Sequence, residues 1–169
     1  TTPMLFALGW MPMFGIGGLT GLPLGLSTPD IHLHDTYYVI GHFHYVVAPG
    51  TIFAIFAGIY YWFPKMTGKM LNETMGKIHF YLSFIFMNGI FWPMLIQGLG
   101  GVSRRLSDGG ASYAHAQEFL HWNVVMSYSA WLLAVAQIPF IYNLIKTILA
   151  DKSPNPDPNP WNATTVEWT

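Results

Sequence analysis

Four long uncharged stretches, parted by short polar loops, set the plan of this chain. The first runs from about residue 3 to 26, the second from 37 to 63, the third from 80 to 100 and the fourth from 119 to 149, where Lys146 is the only formal charge. Each reaches the length of about 20 helical residues that a hydrocarbon core of about 30 Å requires. Spans in lipid have to satisfy their own backbone hydrogen bonds, so the pattern predicts helices. The expected fold class is an all-α membrane protein with four transmembrane helices. Pro49, Pro93 and Pro139 fall inside three of these spans and predict kinks or local unwinding. Gly15, Gly17, Gly18 and Gly21 in the first span fit either close helix packing through small residues or a loosely specified apolar helix.

The loops give an orientation. Lys65, Lys69 and Lys77 outweigh Glu73 between spans two and three, while Lys146 stands near the end of span four and Lys152 just beyond it. Positive loops stay on the cytoplasmic or matrix side, which puts the loops around 30–35 and 101–118 on the outer side. His34, Asp35, His42, His44, Arg104 and Arg105 then lie near one membrane face. The tail, 151–169, carries Pro154, Pro156, Pro158 and Pro160 and is expected to be extended and mobile unless a partner orders it. The triplets Asn72-Glu73-Thr74 and Asn162-Ala163-Thr164 match the glycosylation pattern, yet both are expected on the inner side, so the match is read as coincidence.

Composition agrees with the membrane reading. Only 9% of residues are charged, against about 25% in an ordinary soluble domain. The net charge of −1 leaves no basic face for nucleic acid. Cysteine is absent, which excludes disulfides, zinc–thiolate sites and thiol catalysis.

The candidate chemistry starts with His42 and His44 in the second span. Side chains two apart on a helix point about 200° away from each other, so the pair is poorly placed to share one metal ion and well placed to serve two partners on opposite faces. Ionisable groups inside a membrane are expensive and usually functional, and neutral imidazole is a standard axial ligand of haem iron. His34-Asp35, at the mouth of the span, offers an imidazole and a carboxylate to a hard divalent ion such as Mg²⁺. Asp35 can equally cap the helix on the amides of Tyr37 and Tyr38, and spacing alone favours the cap. Arg104 and Arg105, just beyond the third span, suit two anionic groups such as haem propionates. An interfacial pair reaching toward lipid headgroups is the plainer reading. His32, His79, His115 and His121 lie in loops or near span ends and are read as structural or solvated.

Together these residues carry a resemblance. The run HDTYYVIGHFHYV from His34, YYWFPKMTG from Tyr60, GKIHF from Gly76, SRRLSD from Ser103 and PWNATTVEW from Pro160 resemble the C-terminal third of subunit I of the haem-copper oxidases, in particular the cytochrome c oxidase type. The resemblance implies four helices of a twelve-helix bundle. By it, His42 matches the proximal ligand of the high-spin haem iron, where oxygen binds opposite copper, and His44 an axial ligand of the low-spin haem. Phe43 lies between the two. His34 and Asp35 match ligands of a magnesium or manganese site, Arg104 and Arg105 the pair that holds the haem propionates, and Asp30 an acidic residue near them. The implied cofactors are two haems, of A-type, with Mg²⁺ or Mn²⁺. Copper belongs to the complete subunit, its ligands lying in the preceding two-thirds, so the chain reads as a piece of a longer subunit.

The implied activity is reduction of O₂ to water with electrons from cytochrome c, coupled to proton pumping. The implied partners are the remainder of subunit I, oxidase subunits II and III, cytochrome c and the lipid bilayer. The implied location is a bacterial plasma membrane or the mitochondrial inner membrane. Two departures stand out: Ala48-Pro49-Gly50 replaces a common Ser-Met-Gly, and His32 takes a usually apolar position. The alternatives are a quinol oxidase or nitric oxide reductase relative and, from a different class, a non-enzymatic membrane assembly protein whose histidines merely pack.

Overall fold

A computed structural model describes residues 1–150 and 157–168. The described residues are helical, with no strand beyond a single bridge between Thr36 and Ser103. Helix α1 spans Thr2–Leu24, and the short α2 spans Ser27–Leu33. The second crossing combines α3 (Tyr37–Val47), a π-helical turn at Ala48–Phe53 and α4 (Ala54–Thr67). Helix α5 spans Glu73–Leu99, and the last crossing joins α6 (Leu120–Val135) to α7 (Ile138–Leu149). Four of these helical stretches are long and apolar enough to cross a membrane.

Local chemistry explains most of the helix ends. Thr36 caps α3 by accepting the amide of Tyr38 at 3.2 Å, and Asn72 caps α5 by accepting that of Met75 at 3.0 Å. Because of that cap, α5 starts at Glu73, seven residues before the uncharged run that marks the third span. Gly68 closes α4 in the left-handed region at φ 68°. The prolines differ in effect. Pro49 sits in the π-turn, where a wider turn absorbs its missing donor, and Pro139 opens α7 just after a break at Ala136–Gln137. Pro93 lies inside the unbroken α5.

The core lies between α1, α4 and α5 on the side of the Lys65–Lys77 loop. Phe6, Phe56 and Tyr60 gather around His79 with ring centroids 4.5–6.1 Å from its own, and Phe53 and Phe80 pack on Phe6 at 5.3 and 5.1 Å. His79 is therefore inside α5 and fully buried, not at a span end in contact with solvent. Its Nε2 lies 3.1 Å from Gln137 Oε1, and its Nδ1 3.2 Å from the Tyr60 hydroxyl. Gln137 in turn donates to Ser83 and to the carbonyl of Leu133, so a buried polar chain links α4, α5 and the α6–α7 break. Buried polar groups of this kind stay only when they are hydrogen-bonded.

The end of the chain departs from expectation. Pro154 and Pro156 lie outside the described residues, but 157–168 docks on the end of α4 instead of extending away. Trp161 donates its indole N–H to the carbonyl of Tyr61 at 2.9 Å, and Trp168 packs edge-on against the Tyr61 ring with Lys65 over its own ring. Two tryptophans supply enough apolar surface to hold a proline-rich segment down. At the same end of the helices, Lys69 donates to the carbonyls of Ile148 and Ala150.

Candidate functional site

Helix α3 sits between α1 and α5, and its two histidines face them in turn. His42 Nδ1 is 2.8 Å from the carbonyl oxygen of Gly17 and 3.2 Å from the hydroxyl of Thr20, both on α1. His44 stacks on Phe91 of α5 at 4.9 Å and on Phe43 at 4.3 Å, with its Nδ1 2.8 Å from the carbonyl oxygen of Ile40. A carbonyl oxygen only accepts, so Nδ1 carries the hydrogen in both rings. That leaves Nε2 as the nitrogen available to a metal, and neither Nε2 has a hydrogen-bond partner among the described residues. Both rings are half-buried. Two imidazoles, each with Nδ1 tied to a backbone carbonyl and aimed away from each other, fit axial ligation of two separate haem irons.

Missing side chains let the helices come this close. A Cβ on Gly17 would stand 2.9 Å from the backbone nitrogen of Val46, and one on Gly21 would stand 2.7 Å from Cε1 of His42. On the other side, a Cβ on Gly41 would meet Leu95, and one on Gly98 would fall 2.0 Å from the backbone nitrogen of Tyr38. Gly17 and Gly21 thus serve close packing, one of the two readings their spacing allowed, whereas a Cβ on Gly15 or Gly18 would meet nothing within 4 Å.

A second cluster forms at the mouth of α3. Arg104 donates through Nε, at 2.8 Å, and Nη2 to one oxygen of Asp35. Asp35 Oδ2 lies 3.5 Å from His34 Nε2, and Asp30 Oδ2 lies 3.7 Å from His34 Nδ1. The backbone fixes this contact. Tyr37 donates its amide to Val102 and Arg104 its amide to Asp35, each at 2.9 Å, around the Thr36–Ser103 bridge. Asp35 and Arg105 both sit in the left-handed region, at φ 58° and 65°, a conformation that costs a non-glycine residue energy and clusters at functional sites.

The cap reading of Asp35 is corrected: Thr36 takes the Tyr38 amide, and Tyr37 turns to Val102. Asp35 instead belongs to an ion cluster joining residues 69 apart in sequence.

Asp30, His34, Asp35 and Arg104 are thus brought together, while Arg105 is exposed and acts on Asp35 only through its charge. His42 and His44 lie deeper, about 10 and 13 Å along the helix from Asp35. No group of three or more histidine and acidic side chains is arranged to hold a metal among the described residues. His34 and Asp35 offer two donors on one side, enough for a hard cation that keeps most of its waters.

Arg104 holds the Asp35 carboxyl below its ordinary value of 3.8, chiefly through the hydrogen bonds. A depressed folded-state value contributes stability that is fully present above 3.8 and is lost as the pH falls through the lower value. Asp35→Asn is therefore expected to lower stability slightly near neutral pH and to flatten the acid limb of a melting-temperature profile. An unchanged acid limb would count against the pairing.

Thr20 and the carbonyl of Gly17 escape a sequence reading. Thr20 lies in the glycine-rich part of an uncharged helix, and it meets His42 across 22 residues.

The sequence is also similar to proteins of known kind. A family profile described as "Cytochrome C and Quinol oxidase polypeptide I" matches residues 1–132. Cytochrome c oxidase subunit 1 of Synechocystis sp. is 47% identical over 165 residues, and that of Thermostichus vulcanus is 45% identical over 166. Each alignment covers 98% of this chain but only 28% and 29% of the relative, so the chain spans under a third of the length of the curated relatives it matches. A heme-copper terminal oxidase dimer solved by cryo-electron microscopy superposes with a TM-score of 0.75 at 25% identity, over 89% of this chain and 27% of that one. With four apolar helices, that structural likeness and a profile match over most of its length, the chain belongs to the cytochrome c and quinol oxidase polypeptide I family.

Proposed function

We propose that this chain forms part of the catalytic subunit of a terminal oxidase that reduces O₂ to water with electrons from cytochrome c and couples the reaction to proton pumping. The observation that carries the reading is the pair His42 and His44, on opposite sides of α3, each with Nδ1 tied to a backbone carbonyl and Nε2 left for a metal. When bound, the haems and copper of this family supply the redox chemistry and the site where oxygen binds. The chain's own part is to position. His42 presents Nε2 to the high-spin haem iron, held by α1. His44 presents Nε2 to the low-spin haem iron, its ring clamped by Phe43 and Phe91. Phe43, 40% exposed, stands between the two ligands.

Toward the outer side, Arg104 and Arg105 meet the haem propionates, with Asp30 nearby. Arg104 is already oriented by Asp35, which leaves its other guanidinium nitrogen for a propionate. His34 and Asp35 hold Mg²⁺ or Mn²⁺, the haems being of A-type. The remainder of subunit I and subunits II and III complete the complex, in a bacterial plasma membrane or the mitochondrial inner membrane. Outer faces that remain uncovered support such neighbours: only 17% of the last span is buried here, against 44% of the third.

Cytochrome c is preferred to quinol as the electron donor because the similar subunits carry the name cytochrome c oxidase. Oxygen uptake by the purified full-length complex tests the reading. Uptake with reduced cytochrome c, together with a reduced-minus-oxidised spectrum containing two haem signals, is the expected result. Uptake with quinol alone moves the chain to the quinol branch, and a preparation without haem rejects both.

A further inference from the structure

The two acceptors beside His42 are not equivalent, and the difference assigns work to Thr20. The carbonyl of Gly17 can only accept, so the hydrogen on His42 sits at Nδ1. Thr20 has one hydroxyl hydrogen, and two helix carbonyls compete for it: Ile16 at 2.8 Å and Gly17 at 2.9 Å. With its hydrogen spent on the helix, the Thr20 oxygen turns a lone pair toward Nδ1–H at 3.2 Å. Directly after it, Gly21 leaves the space that the imidazole edge fills, since a Cβ there would stand 2.7 Å from Cε1. One turn of α1 thus supplies a carbonyl, a hydroxyl and a gap, all directed at one ring.

We propose that Thr20 is a positioning residue for His42, whose hydroxyl oxygen is a second acceptor for Nδ1–H and so fixes the ring and enriches Nε2 in electron density toward haem iron. The inference rests on the reading of His42 as the high-spin haem ligand. A hydrogen-bond acceptor on the far nitrogen raises the basicity of a metal-bound imidazole, and losing such a partner weakens the bond. The plainer role for Thr20 is an ordinary back-bond of a threonine to its own helix, which would leave the ligand untouched.

The test uses the full-length subunit in its assembled complex, reduced, with Thr20→Val, Thr20→Ala and Thr20→Ser. The iron–imidazole stretching band of the high-spin haem, read by resonance Raman, should move to lower frequency in the valine and alanine variants and stay at its wild-type position in the serine variant. The midpoint potential of that haem should rise in the same two variants while the low-spin haem keeps its own. An unmoved band in Thr20→Val and Thr20→Ala overturns the proposal. If those two variants fail to take up the high-spin haem, recovery of that haem in Thr20→Ser supports it. Loss in all three overturns it, because shape and not the hydroxyl then matters. A high-spin signal that survives His42→Ala rejects the ligand assignment itself, a failure distinct from that of Thr20.

Discussion

His42→Ala in the assembled complex is expected to abolish the high-spin haem signal and leave the low-spin signal in place, and His44→Ala is expected to do the reverse. Selectivity follows from the geometry of α3. The two rings point to different neighbours, His42 to the Gly17 carbonyl on α1 and His44 to the Phe91 ring on α5. Neither ring supports the other, so removing one leaves the partner's contacts intact. Loss of an outer partner of a metal ligand costs about 10–100-fold in affinity, and loss of the ligand itself should exceed that. Each variant should therefore be depleted in one haem by at least about 100-fold in affinity, read from reduced-minus-oxidised spectra of complex shown to be assembled by size-exclusion chromatography. If both signals survive both substitutions, the histidines only pack, as in a membrane assembly protein. Equal loss of both signals from assembled complex would reject the assignment of one ring to each haem.

The spans were legible because lipid tolerates so few charges that uncharged runs stand out against their loops. Their ends were less so. Helix α5 begins at Glu73 because the Asn72 side chain is free to cap it, a local event that leaves no mark on hydropathy. Pro93 shows a related limit: the same residue type gives a π-turn at Pro49 and an unbroken helix at Pro93, the surroundings deciding which. The docked tail depends on Trp161 and Trp168 meeting Tyr61 across about a hundred residues, which composition does not reveal.

At the site, the opposite facing of His42 and His44 was legible because it needs only the helical angle. What surrounds them was not. The Asp35–Arg104 contact joins positions 69 apart, and the true cap, Thr36, adjoins the acidic residue that spacing favoured. Both depend on a backbone bridge that forms only after the helices pack.

That packing is most exposed to change at Gly98. The residue is the last but one of α5, where a Cβ would fall 2.0 Å from the nitrogen, 2.4 Å from Cα and 2.3 Å from Cβ of Tyr38. Two of these three atoms are backbone, so no rotamer change relieves the overlap. Gly98→Ala should push the start of α3 away from α5 by more than 1 Å. Overpacking of this kind typically costs about 1–3 kcal/mol, and more where the obstacle is main chain.

The displacement has a direction. His44 depends on α5 through Phe91, whereas His42 depends on α1, so the low-spin haem signal should broaden or fall first. The bridge at Thr36–Ser103 should open with it, releasing Arg104 from Asp35. Gly41→Ala provides the contrast, because its Cβ would meet the Leu95 side chain at 2.9–3.0 Å with the nearest backbone atom at 3.2 Å, an overlap a side-chain rotation largely relieves. Gly98→Ala is therefore expected to lower the melting temperature of the complex well below that of Gly41→Ala and to disturb the low-spin spectrum more than the high-spin one. Wild-type spectra and wild-type melting in Gly98→Ala would mean that α3 and α5 are not held in contact there. The placement of His44 against Phe91 would then lose its support.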